Sequence, residues 1–322
     1  MKIVVLDGFT LNPGDLSWSG IEQFGQLTLY DRTLPSQVLE RCGDAEIVLT
    51  NKVVLDAPVL KSLSGTLRYV GVLATGYNVV DVAVARELGI VVTNIPAYST
   101  DSVVQCVFAH LLNITNSVSH YANQIGLEQS WVKSRDFCYV DTPLWELSGK
   151  LFGIVGLGRI GSAVARVAHA FGMMVLAYTG KPQSALPSYI NKVSKEELFR
   201  QSDVLSLHCP LSDDTRHIVS GDTLRLMKPT AILINTGRGP LVDEDTVAEA
   251  LRQNRLGAFA ADVLSQEPPL AGNPLLSAPR AYLTPHIAWA TVEARQRLMQ
   301  ICENNIQAFV AGHPINVVSV NA

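Results

Sequence analysis

The sequence feature that most constrains the fold is a glycine pattern, GLGRIG, near the middle of the chain. It follows the apolar run Leu151 to Val155 and opens a segment with a helical pattern, AVARVAHAFG. In such a pattern the first glycine, Gly156, permits a tight strand-to-helix turn, and Gly158 lets backbone N–H groups approach a pyrophosphate. Gly161 lets helix and strand pack closely, with the phosphate at the positive end of the helix. The pattern therefore predicts the first βα unit of a dinucleotide-binding domain.

Short apolar runs alternate with helical or turn-rich segments on both sides of this motif. Before it, four such runs end near Leu6, Thr50, Thr75 and Pro96. After LFGIV, the runs are MMVLAY, DVLSLHC, AILINTG, GAFAADV and AYLTPHI. Strands separated by helices indicate βαβ units on parallel sheets. We predict an α/β protein with two Rossmann-like domains, a flavodoxin-like substrate domain and a doubly wound dinucleotide-binding domain.

The order of the elements predicts that one domain is inserted within the other. Residues 1–98 plus 290–322 are predicted to form the substrate domain, and 99–289 the NAD(P)-binding Rossmann domain. Hinges are expected near Tyr98 to Ser102 and Ala288 to Val292. The last helical pattern ends at Gly312-His313-Pro314, as helices commonly do.

A second long helical pattern runs from Thr100 to about Gly126, with apolar residues at spacings of three and four. Its broad apolar face is compatible with two roles, burial in the domain's own core or contact with another subunit.

Composition excludes several classes of protein. The 322 residues are 48% hydrophobic and 17% charged, with a formal net charge of −4, a profile typical of compact soluble proteins. The absence of a basic run argues against a nucleic-acid partner. No stretch has the roughly 18 apolar residues of a membrane span, and the apolar run at the N-terminus is short for a signal peptide. Five scattered cysteines favour a reducing compartment, so we expect a cytoplasmic protein.

The strand after the glycine motif bears on the choice of nucleotide. Where an NAD site normally has an acidic residue for the ribose hydroxyls, this sequence has Tyr178, Thr179, Gly180 and Lys181. A hydroxyl, a glycine and a cation are suited to a 2′-phosphate, because no carboxylate repels it and Lys181 attracts it. The prediction is a nicotinamide dinucleotide, leaning towards NADP. The alternative is that Lys181 lies on a surface loop and the site accepts NADH.

Three polar side chains follow successive strand-like runs, at the sheet edge where open α/β sheets bind ligands: Arg238, Glu267 and His286. An arginine binds an anionic substrate, while a carboxylate holds a histidine that donates a proton. Asp262 is expected to contact the nicotinamide amide.

Other patterns of reactive residues are absent or fit structural roles. His110, His120 and His169 lie in helical stretches, and we interpret them as residues of helix faces. The sequence contains neither metal-ligand spacing nor the G-x-S-x-G pattern of a hydrolase.

Taken in order, GLGRIG, INTGRGPLVDE, DVLSQEPP and TPHIA closely resemble the D-isomer-specific 2-hydroxyacid dehydrogenases. The resemblance covers nearly the whole chain, including VLATGYNVVDVAVARELGIVVTNIP in its first part. LDGFTLNPGDLSW, TGK and PLWELSGK are most similar to members that act on hydroxypyruvate, glyoxylate or glycerate.

The resemblance implies roles for individual residues. Arg238 would bind the substrate carboxylate, His286 would be the acid/base next to the cofactor and substrate, and Glu267 would hydrogen-bond to His286. Backbone N–H groups of Leu73, Ala74, Thr75 and Gly76 would bind the same carboxylate. The implied cofactor contacts are Val103, Gly156, Gly158, Arg159, Ile160 and Gly161, then Thr179, Gly180 and Lys181, then His208, Cys209 and Pro210, and finally Thr236, Gly237, Asp262 and His286. The sequence departs from the family pattern V-A-E, which is Val103-Val104-Gln105 here.

The activity expected from the resemblance is hydride transfer between NAD(P)H and a small 2-oxo acid. Hydroxypyruvate or glyoxylate would be reduced to D-glycerate or glycolate, by a homodimer joined through its cofactor domains. The alternatives are a D-3-phosphoglycerate or D-lactate dehydrogenase, or a dinucleotide-sensing binding protein of the corepressor kind.

Overall fold

The computed structural model describes residues 1–318. The chain divides into two compact units. Among the described residues, the first unit contains residues 1–99 and 290–318, and the second contains residues 100–289. Of the helices in the described part, none combines the length and the hydropathy that a bilayer span requires.

The first unit is built on a parallel sheet of five strands. Its elements up to residue 99 are β1 (Lys2–Val5), α1 (Gly8–Leu11), α2 (Ser19–Glu22), β2 (Gln26–Leu29), α3 (Val38–Cys42), β3 (Ile47–Thr50), α4 (Ala57–Leu63), β4 (Tyr69–Val72), α5 (Val82–Glu87) and β5 (Val91–Thr93). The strand order is β2-β1-β3-β4-β5, and every pair is parallel. This is the flavodoxin-like order, as predicted.

The second unit is built on a parallel sheet of seven strands. Its elements are α6 (Thr100–Asn116), α7 (Val118–Gly126), β6 (Leu151–Val155), α8 (Arg159–Ala170), β7 (Met174–Tyr178), β8 (Ile190–Lys192), α9 (Lys195–Gln201), β9 (Val204–Leu207), α10 (Gly221–Leu224), β10 (Ile232–Asn235), α11 (Glu244–Arg252), β11 (Ala258–Ala261) and β12 (Ala281–Leu283). The order β12-β11-β10-β9-β6-β7-β8 reverses at β6, which confirms the predicted doubly wound sheet. The chain then returns to the first unit with α12 (Val292–Val310), which begins after the N-cap Thr291.

Two strands were missing from the sequence prediction, and both lie at sheet edges. In β2 most side chains are exposed, and in β8 only Ile190 is buried. Central strands such as β3 and β9 are buried along their whole length. An edge strand contacts little of the core, so its sequence carries a weak apolar signal.

The predicted helix from Thr100 to about Gly126 is two helices. The chain breaks at Ser117, whose φ of 50° lies in the left-handed region. The apolar face of α6, including Val107 and Leu111, is buried in the unit's own core beside strands β6 and β10. Of the two roles that the sequence left open for this face, the structure assigns it to the core.

Candidate active site

The turn from β6 into α8 has the geometry that its glycines predicted. Gly156 has a φ of 88°, and a Cβ on it would lie 2.6 Å from the backbone nitrogen of Cys209. A Cβ on Gly161 would lie 2.2 Å from the carbonyl oxygen of Gly156. A Cβ on Gly158, by contrast, would meet nothing within 4 Å. Two glycines are therefore required by the protein's own packing, while the third leaves open space at the start of a 12-residue helix.

A buried hydroxyl directly after β10 lacks a hydrogen-bond partner. Among the described residues, Thr236 Oγ1 is the buried side-chain oxygen without a hydrogen bond. Buried polar atoms are normally satisfied, so this atom points to a bound group. Together with the open space at Gly158 and the N-terminus of α8, it fits a dinucleotide.

The segment after β7 is exposed and contains no carboxylate. The N–H of Lys181 donates to Thr179 Oγ1 at 3.3 Å. Lys192, at the end of the neighbouring strand β8, donates from Nζ to the carbonyl oxygen of Lys181 at 2.8 Å. The structure thus adds a second cation to the segment that the sequence analysis singled out.

His208, after β9, is held as a neutral imidazole. Its Nε2 lies 2.8 Å from the hydroxyl of Ser206, and burial lowers its pKa to about 4. Cys209 follows it, and burial raises the pKa of that thiol. The carbonyl oxygen of Pro210 accepts a hydrogen bond from Thr215. Neither His208 nor Cys209 is therefore charged at neutral pH.

A buried asparagine at the end of β10 shapes the turn that carries Arg238. Asn235 Oδ1 accepts from the N–H of Gly237 at 3.0 Å, and its Nδ2 donates to the carbonyl oxygen of Arg238 at 2.9 Å. The guanidinium of Arg238 is exposed and donates to the carbonyl oxygen of Gly237. A Cβ on Gly239 would lie 2.0 Å from the carbonyl carbon of Leu264, so this glycine allows the turn to pack closely on the next loop.

His286 and Glu267 are hydrogen-bonded, with 2.6 Å between His286 Nδ1 and Glu267 Oε2. The other oxygen of Glu267 accepts from the N–H of Leu264 at 2.9 Å. Because a carboxylate only accepts hydrogen bonds, Nδ1 of His286 carries a hydrogen, and Nε2 remains for proton exchange. Both side chains are only partly exposed, at 29% for His286 and 36% for Glu267.

The loop that carries His286 is fastened to Asp262. Both carboxylate oxygens of this buried residue accept hydrogen bonds, from the N–H groups of Ile287 at 2.8 Å and Ala288 at 2.7 Å. The hydroxyl of Thr284 donates to the same carboxylate at 2.6 Å. His286 itself has a φ of 56°, a strained conformation for a non-glycine residue that needs support from its surroundings. Asp262 therefore holds the loop, a role that the sequence analysis did not foresee.

In the first unit, the predicted carboxylate-binding segment follows β4. The N–H of Leu73 donates to the carbonyl oxygen of Thr50 at 2.8 Å, so it is already used. This corrects the sequence expectation and leaves the N–H groups of Ala74, Thr75 and Gly76 as candidate donors. Thr75 Oγ1 anchors the segment by donating to the carbonyl oxygen of Ile95.

The remaining predicted cofactor contact is Val103. It lies in the first turn of α6 and is buried.

No cluster of three or more His, Cys, Asp or Glu side chains in the described part of the chain is arranged to hold a metal ion.

Comparison with known families identifies the second unit. Residues 108–288 match the family model described as "D-isomer specific 2-hydroxyacid dehydrogenase, NAD binding domain". The chain belongs to this family. A hydroxypyruvate reductase from Blautia hydrogenotrophica is 48% identical to this dehydrogenase over 323 residues, covering 99% of this chain and 100% of that protein. A glycerate dehydrogenase from Methylorubrum extorquens is 40% identical over 320 residues, covering 98% of each chain.

Solved structures also resemble this dehydrogenase along its length. An acyclic imino acid reductase in complex with NADPH and D-Arg is 30% identical, with a TM-score of 0.84, and the match covers 99% of this chain and 100% of that one. The family match confirms a dehydrogenase that uses a nicotinamide dinucleotide.

Several contacts that support the dehydrogenase's site were not predicted from the sequence. Asn235 lies inside the INTGRG motif, where an asparagine directly after a strand is a usable signal for a side-chain-stabilised turn. Glu244 accepts from the N–H of Ser265 and from Asn273 Nδ2, and so supports the loop before Glu267. His110, interpreted as a residue of a helix face, is buried and lies 3.2 Å from Thr284 Oγ1.

Proposed function

We propose that this protein reduces hydroxypyruvate or glyoxylate to D-glycerate or glycolate, using a reduced nicotinamide dinucleotide. The observation that carries the proposal is the hydrogen bond between His286 and Glu267 at 2.6 Å, on loops that follow two strands of the dinucleotide-binding sheet. The relatives named for hydroxypyruvate and glycerate support this choice of substrates.

The proton is assigned to His286. Glu267 accepts from Nδ1 and stabilises the charged ring, so Nε2 can donate a proton to the carbonyl oxygen of the 2-oxo acid. The nicotinamide, when bound, supplies the hydride. Because the proton and the hydride go to different atoms of one carbonyl group, the imidazole must be held in a fixed orientation, which the bond from Glu267 provides.

The substrate carboxylate is assigned to Arg238. Its exposed guanidinium offers a forked set of donors, which suits a carboxylate. In the first unit, the N–H groups of Ala74, Thr75 and Gly76 are also assigned to a substrate carboxylate.

The cofactor contacts are proposed as the resemblance implies them. Val103 contacts the nicotinamide, Thr236 and Gly237 its ribose, and Asp262 the carboxamide. Gly156, Gly158 and Gly161 with Arg159 and Ile160 bind the pyrophosphate, while His208, Cys209 and Pro210 lie on the adenine side.

The preferred dinucleotide is proposed to be NADPH. The segment Thr179, Gly180 and Lys181 has no carboxylate to repel a 2′-phosphate. Lys192, bonded to the backbone of Lys181, places a second cation at this segment. Two cations favour a dianionic phosphate over a pair of neutral hydroxyls.

The assembly is proposed to be a homodimer joined through the second unit. Because the apolar face of α6 is buried in that unit's core, the surface is assigned instead to the segment after α7. Five apolar side chains there are more than half exposed: Leu127, Trp131, Val132, Phe137 and Val140. We also propose a cytoplasmic location, since all five cysteines are free thiols.

The test is an absorbance assay of nicotinamide oxidation with four substrates, hydroxypyruvate, glyoxylate, pyruvate and 3-phosphohydroxypyruvate, each with NADH and with NADPH. Rapid turnover of hydroxypyruvate or glyoxylate supports the proposed reaction, and higher kcat/KM with NADPH supports the proposed nucleotide. Preference for pyruvate or for the phosphorylated substrate would favour a D-lactate or D-3-phosphoglycerate dehydrogenase. Dinucleotide binding without turnover of any oxo acid would favour a sensing protein.

A further inference from the structure

A chain of hydrogen bonds runs from α6 to the loop of His286. His110 Nε2 lies 3.2 Å from Thr284 Oγ1, and Thr284 Oγ1 lies 2.6 Å from Asp262 Oδ1. The carboxylate of Asp262 in turn accepts the N–H groups of Ile287 and Ala288, the two residues that follow His286. His110 is 7% exposed and Asp262 is 1% exposed.

The chemistry of these groups fixes the direction of each hydrogen bond. Asp262 is an acceptor only, so the single hydrogen of the Thr284 hydroxyl is directed to it. Thr284 Oγ1 then accepts from His110, which requires a hydrogen on His110 Nε2. Burial lowers the pKa of His110, while the charge of Asp262 acts in the opposite direction. His110 is thereby a neutral imidazole in one tautomer, with the hydrogen on Nε2.

Cys106, one helical turn before His110, faces the same groups. Burial raises the pKa of its thiol to about 12, with a smaller contribution from the charge of Asp262 and an opposing one from its contact with Thr284. The thiol is therefore neutral. Asp262 is the charged member of this group, and it depends on donors to offset its burial.

We propose that His110 and Thr284 are positioning residues for His286. Thr284 supplies Asp262 with a side-chain donor besides the two N–H groups of the loop, and His110 fixes the orientation of the Thr284 hydroxyl. The inference rests on the proposed function, because it takes His286 as the group that exchanges the proton. Loss of this chain of hydrogen bonds would leave the fold intact but would misplace the imidazole, so kcat would fall while KM for the oxo acid changed little.

Steady-state kinetics with the preferred 2-oxo acid tests this role. Thr284→Val removes the hydroxyl at nearly constant volume, and we expect kcat to fall roughly tenfold, since a hydrogen bond to a charged group is lost. Thr284→Ser keeps the hydroxyl and should stay within about twofold of the wild type by the same argument. His110→Leu should lower kcat roughly fivefold, and His110→Gln, which retains a donor, should recover part of the loss.

The matched control is Thr115→Val. Thr115 is a buried threonine of α6, the helix that contains His110. Its hydroxyl donates to the carbonyl oxygen of Leu111 within α6. Its replacement should leave kcat unchanged. Equal kcat values for Thr284→Val, Thr284→Ser and the control would overturn the proposal, as would a change confined to KM.

A second readout does not depend on turnover. Nitrogen-15 spectra of the histidine rings should identify His110 as the Nε2–H tautomer in the wild type, and Thr284→Val should change its ring nitrogen shifts, while Thr115→Val should not. An Nδ1–H tautomer in the wild type would overturn the hydrogen-bond chain. If the wild type turned over no oxo acid while these spectra were as expected, the proposed function would fail, and with it the role of the chain in positioning a catalytic group.

Discussion

His286 and His208 lie in the same unit but have opposite surroundings. His286 contacts a carboxylate at 2.6 Å, whereas His208 contacts the hydroxyl of Ser206 and is largely desolvated. A carboxylate partner stabilises an imidazolium, and burial without a charge partner destabilises one. The two rings are therefore suited to different tasks, proton exchange for His286 and neutral packing for His208.

Replacing His286 tests the first of these tasks. His286→Ala should lower kcat for the 2-oxo acid roughly 100-fold or more, because general acid catalysis is lost. The matched control is His120→Ala, since His120 is a partly exposed histidine that also pairs with a carboxylate, that of Asp141. The measurement is the rate of nicotinamide oxidation under saturating substrate. A value of kcat within threefold of the wild type would remove His286 from the proposed role.

Replacing His208 tests whether its ring is buried in the neutral form. Its pKa is about 4 in the folded protein against an ordinary 6.5, so the unfolded chain binds a proton between these pH values and the folded one does not. The wild type should accordingly lose stability as the pH falls from 6.5 to 4, by on the order of 3 kcal/mol from this group. In His208→Asn that contribution is absent, so its free energy of unfolding should fall less over the same range. Urea titrations of both proteins at several pH values would measure the difference, and parallel pH profiles would contradict the assignment.

At the scale of the element, the three glycines of the turn from β6 to α8 differ in what lies next to them. Gly156 and Gly161 are needed because the protein's own backbone lies within 3 Å of where a Cβ would be. Gly158 faces open space, where the proposed dinucleotide would lie. The same motif thus contains two glycines that the protein's own packing requires and one that the proposed ligand would require.

A pair of alanine substitutions distinguishes these positions. Gly156→Ala places a Cβ against Cys209 at a φ of 88°, and it should destabilise the protein by at least about 1 kcal/mol. Gly158→Ala should leave the melting temperature nearly unchanged but weaken dinucleotide binding about tenfold or more, because the methyl group occupies the space of the pyrophosphate. Thermal unfolding and fluorescence titration with NADPH would measure the two effects. Equal losses of stability in both variants would contradict the distinction.

At the scale of the whole molecule, the exposed apolar side chains between residues 127 and 140 form the surface that we propose for the dimer. Phe137 is 89% exposed and Val132 is 83% exposed. Large apolar side chains gathered in one segment commonly mark an interaction site. A second copy of the chain is the proposed occupant.

Light scattering tests this assembly. The wild type should have about twice the chain mass of 34.9 kDa, and Phe137→Ser should shift the population towards the monomer at micromolar concentration, because it removes apolar area from the contact. Leu34→Ser is the matched control, since Leu34 is 63% exposed in the other unit. A monomeric wild type, or a dimer that is indifferent to Phe137→Ser, would contradict the proposed surface.

The sequence by itself determined the two parallel sheets, the glycine turn and the order of the polar groups Arg238, Glu267 and His286 along the chain. These features are legible because strand and helix periodicity is local, and because a glycine requirement or a strand end is marked by neighbouring residues. The edge strand β2 could not be predicted from the sequence, because its side chains contact little of the core.

Only the tertiary structure decided which side chains support the site. His110 and Thr284 are separated by 174 positions, and Asp262 reaches Ala288 across 26. A hydrogen bond between such residues imposes no local pattern on the sequence, since each partner needs only to be polar and buried where the fold brings the two together. For the same reason the sequence placed His110 on a helix face but did not predict that its ring contacts Thr284.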